Sequence, residues 1–427
     1  MTGAWRRLGV VLGVVLAASV VGGSVVLDAP AAHADQIRDL EYWLADYGFS
    51  EAWNTTRGAG VTVAIIDTGI DGSVVELSGA VIGGTDVSGL GSSNGQTPVG
   101  GDAQDSGHGT MVASLLAGRG TGDGAGLIGV APEATLLSVS VAFGESSSAV
   151  SNDDQIAQGI RWAVDNGADV INMSLTRNTL FWPQSWDDAF LYAFENDVVV
   201  VAAAGNRGSG TTEVGAPATI PGVLTVAGVD RDKTASFDAS SQGITIAVAA
   251  PSEKLVGAVP GGSYVLWDGT SAAAPIVSGL VALVRAAYPQ LTAAEVMNRV
   301  IESANPNGHD TPSPIYGNGL IDATAAVTSS VPSATVQTPA ELLTEWIHLH
   351  RRAEIAVQPT ETPSVVAPII PKTDPALPAR NLAAAWLPNP LTLTYISLPL
   401  AVLVGFGILL GLLGIGATRH IKRIRRK

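Results

Sequence analysis

An α/β domain with a mainly parallel sheet between helical layers is the fold class this sequence predicts, on three observations. From Gly60 to about Val327, short β-branched runs alternate with longer stretches of helical apolar spacing, the pattern of parallel strands joined by crossover helices. Glycine clusters punctuate the ends of the runs, where tight turns are needed. Residues with reactive side chains stand directly after apolar runs, where parallel sheets deliver functional groups.

Taken in order, residues 1–34 read as a signal peptide. Arg6 and Arg7 precede an apolar run from Leu8 to about Leu27, and Ala32-His33-Ala34 offers a cut after Ala34. Residues 35–57 form an N-terminal extension in which Leu40, Trp43, Leu44 and Tyr47 recur at helical spacing, the pattern of a docking helix. The main domain covers residues 58–328. Its strand candidates are Val61 to Ile66, Val170 to Met173, Val198 to Ala204, Val223 to Val229 and Ile244 to Ala249. Its helix candidates are Thr110 to Ala117, Asp153 to Asp165, Trp186 to Asn196, Ala272 to Ala287 and Ala293 to Ile301. Gly261 to Asp268 reads as irregular.

Residues 329–394 are a linker. Ten prolines fall between Val331 and Pro390, a composition that extends the chain as a stalk, with a short helix expected from Glu341 to Arg352. Residues 395–418 read as a transmembrane helix, since Ile396 to Ala417 carries no charge and spans roughly 33 Å as a helix. The basic tail, residues 419–427, is expected in the cytoplasm by the positive-inside rule, which puts the main domain outside the cell.

Composition excludes some functions. Net charge is −15, and without the signal and tail it becomes −22, so nucleic acid is repelled rather than bound. The chain has no cysteine. Export to an oxidising space is therefore not matched by disulfides, and the fold rests on core packing, with bound cations as further support.

Ser271 lies in Gly269-Thr270-Ser271-Ala272-Ala273-Ala274-Pro275, in the first turn of an apolar helix that stops at Pro289. A helix start aims peptide N–H groups at an oxyanion formed there, although Gly-Thr-Ser before alanines is also ordinary capping chemistry. Asp67 ends the run Val61 to Ile66. His108 lies in Asp105-Ser106-Gly107-His108-Gly109-Thr110 and opens a helix, which it could alternatively cap. A carboxylate, an imidazole and a hydroxyl make a nucleophilic triad. Of the histidines at 33, 108, 309, 348, 350 and 420, only His108 and His309 fall in the main domain, and His309 sits in a loop with nothing to fix it. Asn206, after the run ending Ala203-Ala204-Gly205, brings an amide to the same edge, as an oxyanion donor beside the Ser271 N–H or as a turn residue. The two Asp-x-Gly segments are too close in sequence to belong to the separate lobes of an aspartic protease, and no His-Glu-x-x-His occurs.

The ordered contexts Asp67-Thr68-Gly69, Gly107-His108-Gly109-Thr110, Ala203-Ala204-Gly205-Asn206 and Gly269 to Pro275 resemble those of the subtilisin family of serine proteases over residues 37 to 330. The resemblance implies a subtilisin-like three-layer fold and an endopeptidase acting on protein or peptide substrates. In it Asp67 orients His108, His108 acts as base and then acid, Ser271 forms the acyl-enzyme, and Asn206 with the Ser271 N–H holds the oxyanion. It places Ser174, Leu175 and Thr176 along one side of an apolar first specificity pocket, Ala203, Ala204 and Gly205 along the other, and Gly215 near its floor. Thr176 stands where relatives often have glycine, and Met111 where many have histidine. Structural calcium is a family feature that no loop spacing here localises, and catalysis of this kind requires no cofactor.

Signal peptide, extension, protease domain, proline-rich stalk, membrane helix and basic tail together are similar to the mycosins. These are membrane-anchored proteases of bacterial type VII secretion systems, and the resemblance implies a bacterial cell-membrane location and a secretion-complex partner. Mycosins commonly carry cysteines in the catalytic domain; this chain does not. Two further readings stay open: a mainly structural component of a secretion complex, and a surface degradative protease without a secretion partner.

Overall fold

Helices lead the described chain: α1 (Ala31–Leu40), α2 (Trp43–Asp46) and α3 (Phe49–Ala52). The expected single docking helix is thus three short pieces, interrupted at Glu41 and Tyr42 and again where Gly48 adopts φ 74°, a left-handed conformation that suits glycine. Their apolar side chains nevertheless dock as the spacing requires, with Trp43 and Phe49 fully buried. The computed structural model describes residues 31–100, 103–143, 148–331 and 336–351, with Val404 and Ile408. Expectations for most of the signal peptide, the stalk beyond Arg351, the membrane span and the tail lie outside the described residues. The chain divides into units Met1–Ala356 and Val357–Lys427, and the sheet and its helices belong to the first.

Strands and helices then alternate: β1 (Thr62–Asp67), β2 (Val81–Asp86), α4 (Ala103–Ala117), β3 (Thr135–Ser140), α5 (Asn152–Asp165), β4 (Val170–Met173), α6 (Gln184–Glu195), β5 (Val199–Ala203), β6 (Leu224–Val229) and β7 (Ile246–Pro251). All pairings in the resulting seven-stranded sheet are parallel, in the order β2-β3-β1-β4-β5-β6-β7. The central strands are buried on both faces, which is why they read as continuous apolar runs. β2 escaped the sequence reading because Gly83 and Gly84 interrupt it and it is largely half-buried. β3 alternates serine with leucine and valine and was likewise not singled out.

An antiparallel hairpin, β8 (Leu255–Val259) and β9 (Ser263–Trp267), follows. It corrects the irregular reading of Gly261 to Asp268: Gly261 and Gly262 make the turn, and the residues after it pair. The chain then enters α7 (Thr270–Ala287), apolar enough to cross a bilayer by composition but buried as the core helix. α8 (Ala293–Glu302), α9 (Ala323–Thr328) and α10 (Pro339–His350) complete the described fold. Helix α10 falls in the region read as linker yet belongs to the first unit. It buries Leu343, stacks Trp346 on Trp182 at 4.2 Å between ring centroids, and ends where Arg351 Nε donates to Asp187 Oδ2 at 2.9 Å.

The strand order reverses around β1. From β1 the chain runs to the edge strand β2, returns to β3, and crosses over to β4 on the other side of β1. Such a switch point opens a crevice at the carboxyl ends of the strands, and Asp67 is the last residue of β1.

Candidate active site

Asp67 is fully buried and its carboxylate is supplied with donors. The Thr68 N–H reaches Oδ1 at 2.7 Å and the Thr68 hydroxyl at 3.3 Å, while His108 Nδ1 lies 2.8 Å from Oδ1 and 3.0 Å from Oδ2. A carboxylate only accepts, so Nδ1 carries the imidazole proton and Nε2 of the neutral ring is the basic nitrogen. His108 does not open its helix as expected; α4 begins at Ala103 and His108 lies on its sixth position. Thr68 fixes the helix to the strand end, since its hydroxyl also contacts the Ser106 carbonyl at 3.2 Å and accepts the Gly109 N–H at 3.1 Å. At Gly109 a Cβ would lie 2.4 Å from the Gly69 carbonyl oxygen, so this close approach needs glycine.

The His108 ring meets Trp267 edge-on, with centroids 5.5 Å apart. Trp267 ends β9 and leads through Asp268 and Gly269 into α7. Gly269 has φ 136°, and a Cβ there would lie 2.8 Å from Asn206 Nδ2. The Thr270 N–H and hydroxyl both donate to Asn206 Oδ1, at 2.8 and 2.9 Å. Because a backbone N–H can only donate, this bond fixes which end of the amide is oxygen and leaves Nδ2 as the donor end. The Thr270 hydroxyl in turn accepts from Gly205 N at 3.0 Å. Ser271 is the second residue of α7, within the turn whose N–H groups have no acceptor inside the helix.

A buried polar chain fixes α7 against β4. Ser278 Oγ donates to Asn172 Oδ1 at 2.9 Å, Asn172 Nδ2 donates to Ser174 Oγ at 3.0 Å, and Ser174 Oγ donates to the Ser271 carbonyl at 2.8 Å. That carbonyl would ordinarily accept the N–H of residue 275, but Pro275 has none. The Ser174 hydroxyl fills the gap. Ser271 Oγ donates back to the Ser174 carbonyl at 3.1 Å.

The fold thus gathers Asp67 with His108, and Ser271 with Ser174, Thr270 and Asn206, at the ends of β1, β4 and β5. Leu175 and Thr176 follow Ser174, half-buried. Ala203 and Ala204 are buried, Gly205 follows them, and Gly215 N bonds the Ala204 carbonyl at 3.3 Å. His309 stacks on Tyr316, centroids 3.9 Å apart, in its loop. Sequence reasoning missed Thr68, Thr270, Asn172 and Trp267. The first two stand beside the charged or nucleophilic residues of their motifs and carry no signal of their own; Asn172, a polar residue inside an apolar strand, is a visible signal of a buried polar link. A cleft of about 540 Å³, lined by Ser106, Met111, Val259, Pro260 and Trp267 among others, has no sequence signal. Among the described residues no three His, Asp or Glu side chains converge on a point, so none is assigned to a metal.

A strand-end carboxylate behind an imidazole, with a serine at a helix start and an amide donor beside it, defines the serine-hydrolase class. The chain belongs to the subtilase family of serine proteases (peptidase S8), which matches residues 58–319. It is 38% identical to subtilisin DY of Bacillus licheniformis over 275 residues, 63% of this chain and 92% of that protein. It is 34% identical to mycosin-4 of Mycobacterium tuberculosis over 340 residues, 69% of this chain and 70% of that one. The solved structure of the MycP3 protease from the type VII (ESX-3) secretion system superposes with a TM-score of 0.57 at 32% identity, covering 67% of this chain and 88% of that one.

Proposed function

We propose that the chain is a membrane-anchored, extracytoplasmic serine endopeptidase that cleaves through Asp67, His108 and Ser271 and works with a type VII secretion complex. The single observation that carries the catalytic part is the pairing of His108 Nδ1 with the buried Asp67 carboxylate, on the sheet edge that also presents Ser271. When a substrate carbonyl approaches, the Ser271 hydroxyl turns from the Ser174 carbonyl and gives its proton to His108 Nε2 as Oγ attacks. Asp67 holds the imidazolium that forms. Asn206 Nδ2 and the Ser271 N–H donate to the oxyanion, and the helix start adds its field. His108 then protonates the leaving amine; a water, activated by the same nitrogen, hydrolyses the acyl-enzyme.

The anchor rests on the uncharged stretch Ile396 to Ala417 and the basic residues after it. The secretion context rests on the similarity to mycosin-4 and to the MycP3 protease. A fluorophosphonate probe on the full-length protein should label one peptide, and its mass should map to Ser271. Ser271→Ala should lower kcat by about 10⁶-fold with folding retained, a size taken over from subtilisin relatives. Full cleavage by that variant would sink the mechanism. In cells, secretion that survives Ser271→Ala but not deletion would reduce the chain to a structural part of the complex.

A further inference from the structure

We infer that the first specificity pocket is closed at its floor by Thr176, so that the residue whose carbonyl is attacked must be small: glycine, alanine or serine. This rests on the serine-protease reading of the site and narrows the apolar pocket expected from sequence. The observation is a contact between two segments that would otherwise stand apart. A Cβ built on Gly215 would lie 1.9 Å from the Arg177 carbonyl oxygen and 2.5 Å from Thr176 Oγ1. The space next to the floor glycine is therefore already filled from the facing wall.

The two segments are also zipped together. Arg177 N donates to the Ala216 carbonyl at 2.7 Å and Ala216 N to the Thr179 carbonyl at 2.9 Å, and Thr219 Oγ1 donates to the Leu180 carbonyl at 2.8 Å. Thr211 and Asn178 join the same seam through their side chains. From the outer side the Arg177 guanidinium pairs with Asp153 and lies 5.4 Å from the Trp186 ring centroid. To admit a phenyl or isobutyl group the Thr176 segment would have to swing away, breaking the backbone bonds to Ala216 and the anchor at Asp153 together. The opposite wall, Ala203 and Ala204, is backbone and methyl groups that are themselves buried. A glycine at 176 would delete Oγ1 at this contact and free the backbone that carries the Arg177 carbonyl.

The test uses the full-length protein and tripeptidyl diphenyl phosphonates that differ only in the last residue, which becomes the group in the first pocket. Labelling rates are read by intact mass, and the site by peptide mapping. The alanine reagent should label Ser271 at least tenfold faster than the phenylalanine reagent, since each methylene of misfit is worth about 10-fold or more. Thr176→Gly should raise the phenylalanine-to-alanine rate ratio by at least tenfold. Thr176→Ala, which keeps the backbone more restrained, should raise it by a smaller factor and serves if the glycine variant does not fold. Ser271 labelling by the phenylalanine reagent as fast as by alanine, or a ratio unmoved in both Thr176 variants, overturns the inference while leaving the protease reading intact. Labelling mapped away from Ser271, or none with any reagent, overturns the protease reading and the inference with it.

Discussion

Asp67 and Glu41 are both buried acids with a basic group beside them, one at the active edge and one under the N-terminal extension, and the fold treats them differently. Asp67 is aimed at by the Thr68 N–H, the Thr68 hydroxyl and His108 Nδ1. Glu41 Oε1 accepts the Ile128 N–H at 2.9 Å. Its Oε2 lies 2.9 Å from Arg38 Nε, but that N–H is directed at the Gly126 carbonyl, 3.0 Å away, and Oε2 has no aligned donor. Burial pushes the Glu41 carboxyl well above the usual glutamate range; Arg38 and the Ile128 N–H pull it down, and nearby Glu76 pushes further up. A cation in contact does not by itself support a buried carboxylate, because desolvation is large and must be met by hydrogen bonds along the lone pairs.

The same chemical change at the two sites makes the contrast measurable. Asp67→Asn should lower kcat by about 10⁴-fold with the fold intact, because an amide presents its NH₂ group to the imidazole and favours the wrong tautomer. Glu41→Gln should leave kcat within about twofold, since its contacts are with Arg38 and Ile128 and none is with Asp67, His108 or Ser271. Steady-state kinetics on one peptide substrate compares them. A loss below about tenfold in Asp67→Asn would break the contrast, as the donor-rich carboxylate would then be no more than a structural one.

How much of this was legible in the sequence follows the same division between strong local signals and distant pairings. Central strands such as Val170–Met173 were read to the residue because burial on both faces leaves an unbroken apolar run. Asp67, Ser271 and Asn206 were placed correctly on strand ends and a helix start, since each follows or opens such a run. The strands β2 and β3 were not found. β2 is glycine-broken and half-exposed, and the serines of β3 bond partners far along the chain, Ser138 to Gly95 and Ser140 to Asp86. Helix α4 starts earlier than the sequence suggests because Gly107 and Gly109 depress helix propensity locally, while close packing against Gly69 demands the second of them, Gly109. The seam between Thr176 and Gly215 joins residues 39 apart in the chain, and only the fold reveals it.

The active edge can be probed on its own terms through Ser174, with a smaller effect than at Asp67. Ser174→Ala removes the donor to the Ser271 carbonyl and should destabilise the protein by about 1–3 kcal/mol, the cost of an unpaired buried acceptor. Pro275→Ala restores a backbone N–H in register for that carbonyl. In the Ser174→Ala background it should therefore recover part of the loss, whereas in the parent it should gain less. Denaturant unfolding of the four proteins gives the coupling energy. Additive changes, with no coupling beyond about 0.5 kcal/mol, would show that the Ser174 hydroxyl is not the substitute for the missing helical bond.

At the extension the expected effect is smallest and its sign depends on pH. The folded-state pKa of Glu41 is raised, so below the ordinary range near 4.5 the side chain is neutral in both folded and unfolded chains and carries no penalty. As pH rises above that range the unfolded chain loses its proton more readily than the folded one, and the parent is progressively destabilised at this site. Glu41→Gln cannot ionise and escapes that loss while keeping an acceptor for the Ile128 N–H. The melting temperature of the variant should exceed that of the parent by a margin that widens from pH 4.5 to pH 8, by about 3 °C for each kcal/mol of penalty relieved. The margin isolates Glu41, since every other titrating group is common to both proteins. A margin that is constant or narrows with pH would mean that Arg38 compensates the buried charge despite its misaligned N–H, and the contrast with Asp67 would then lie in reactivity alone.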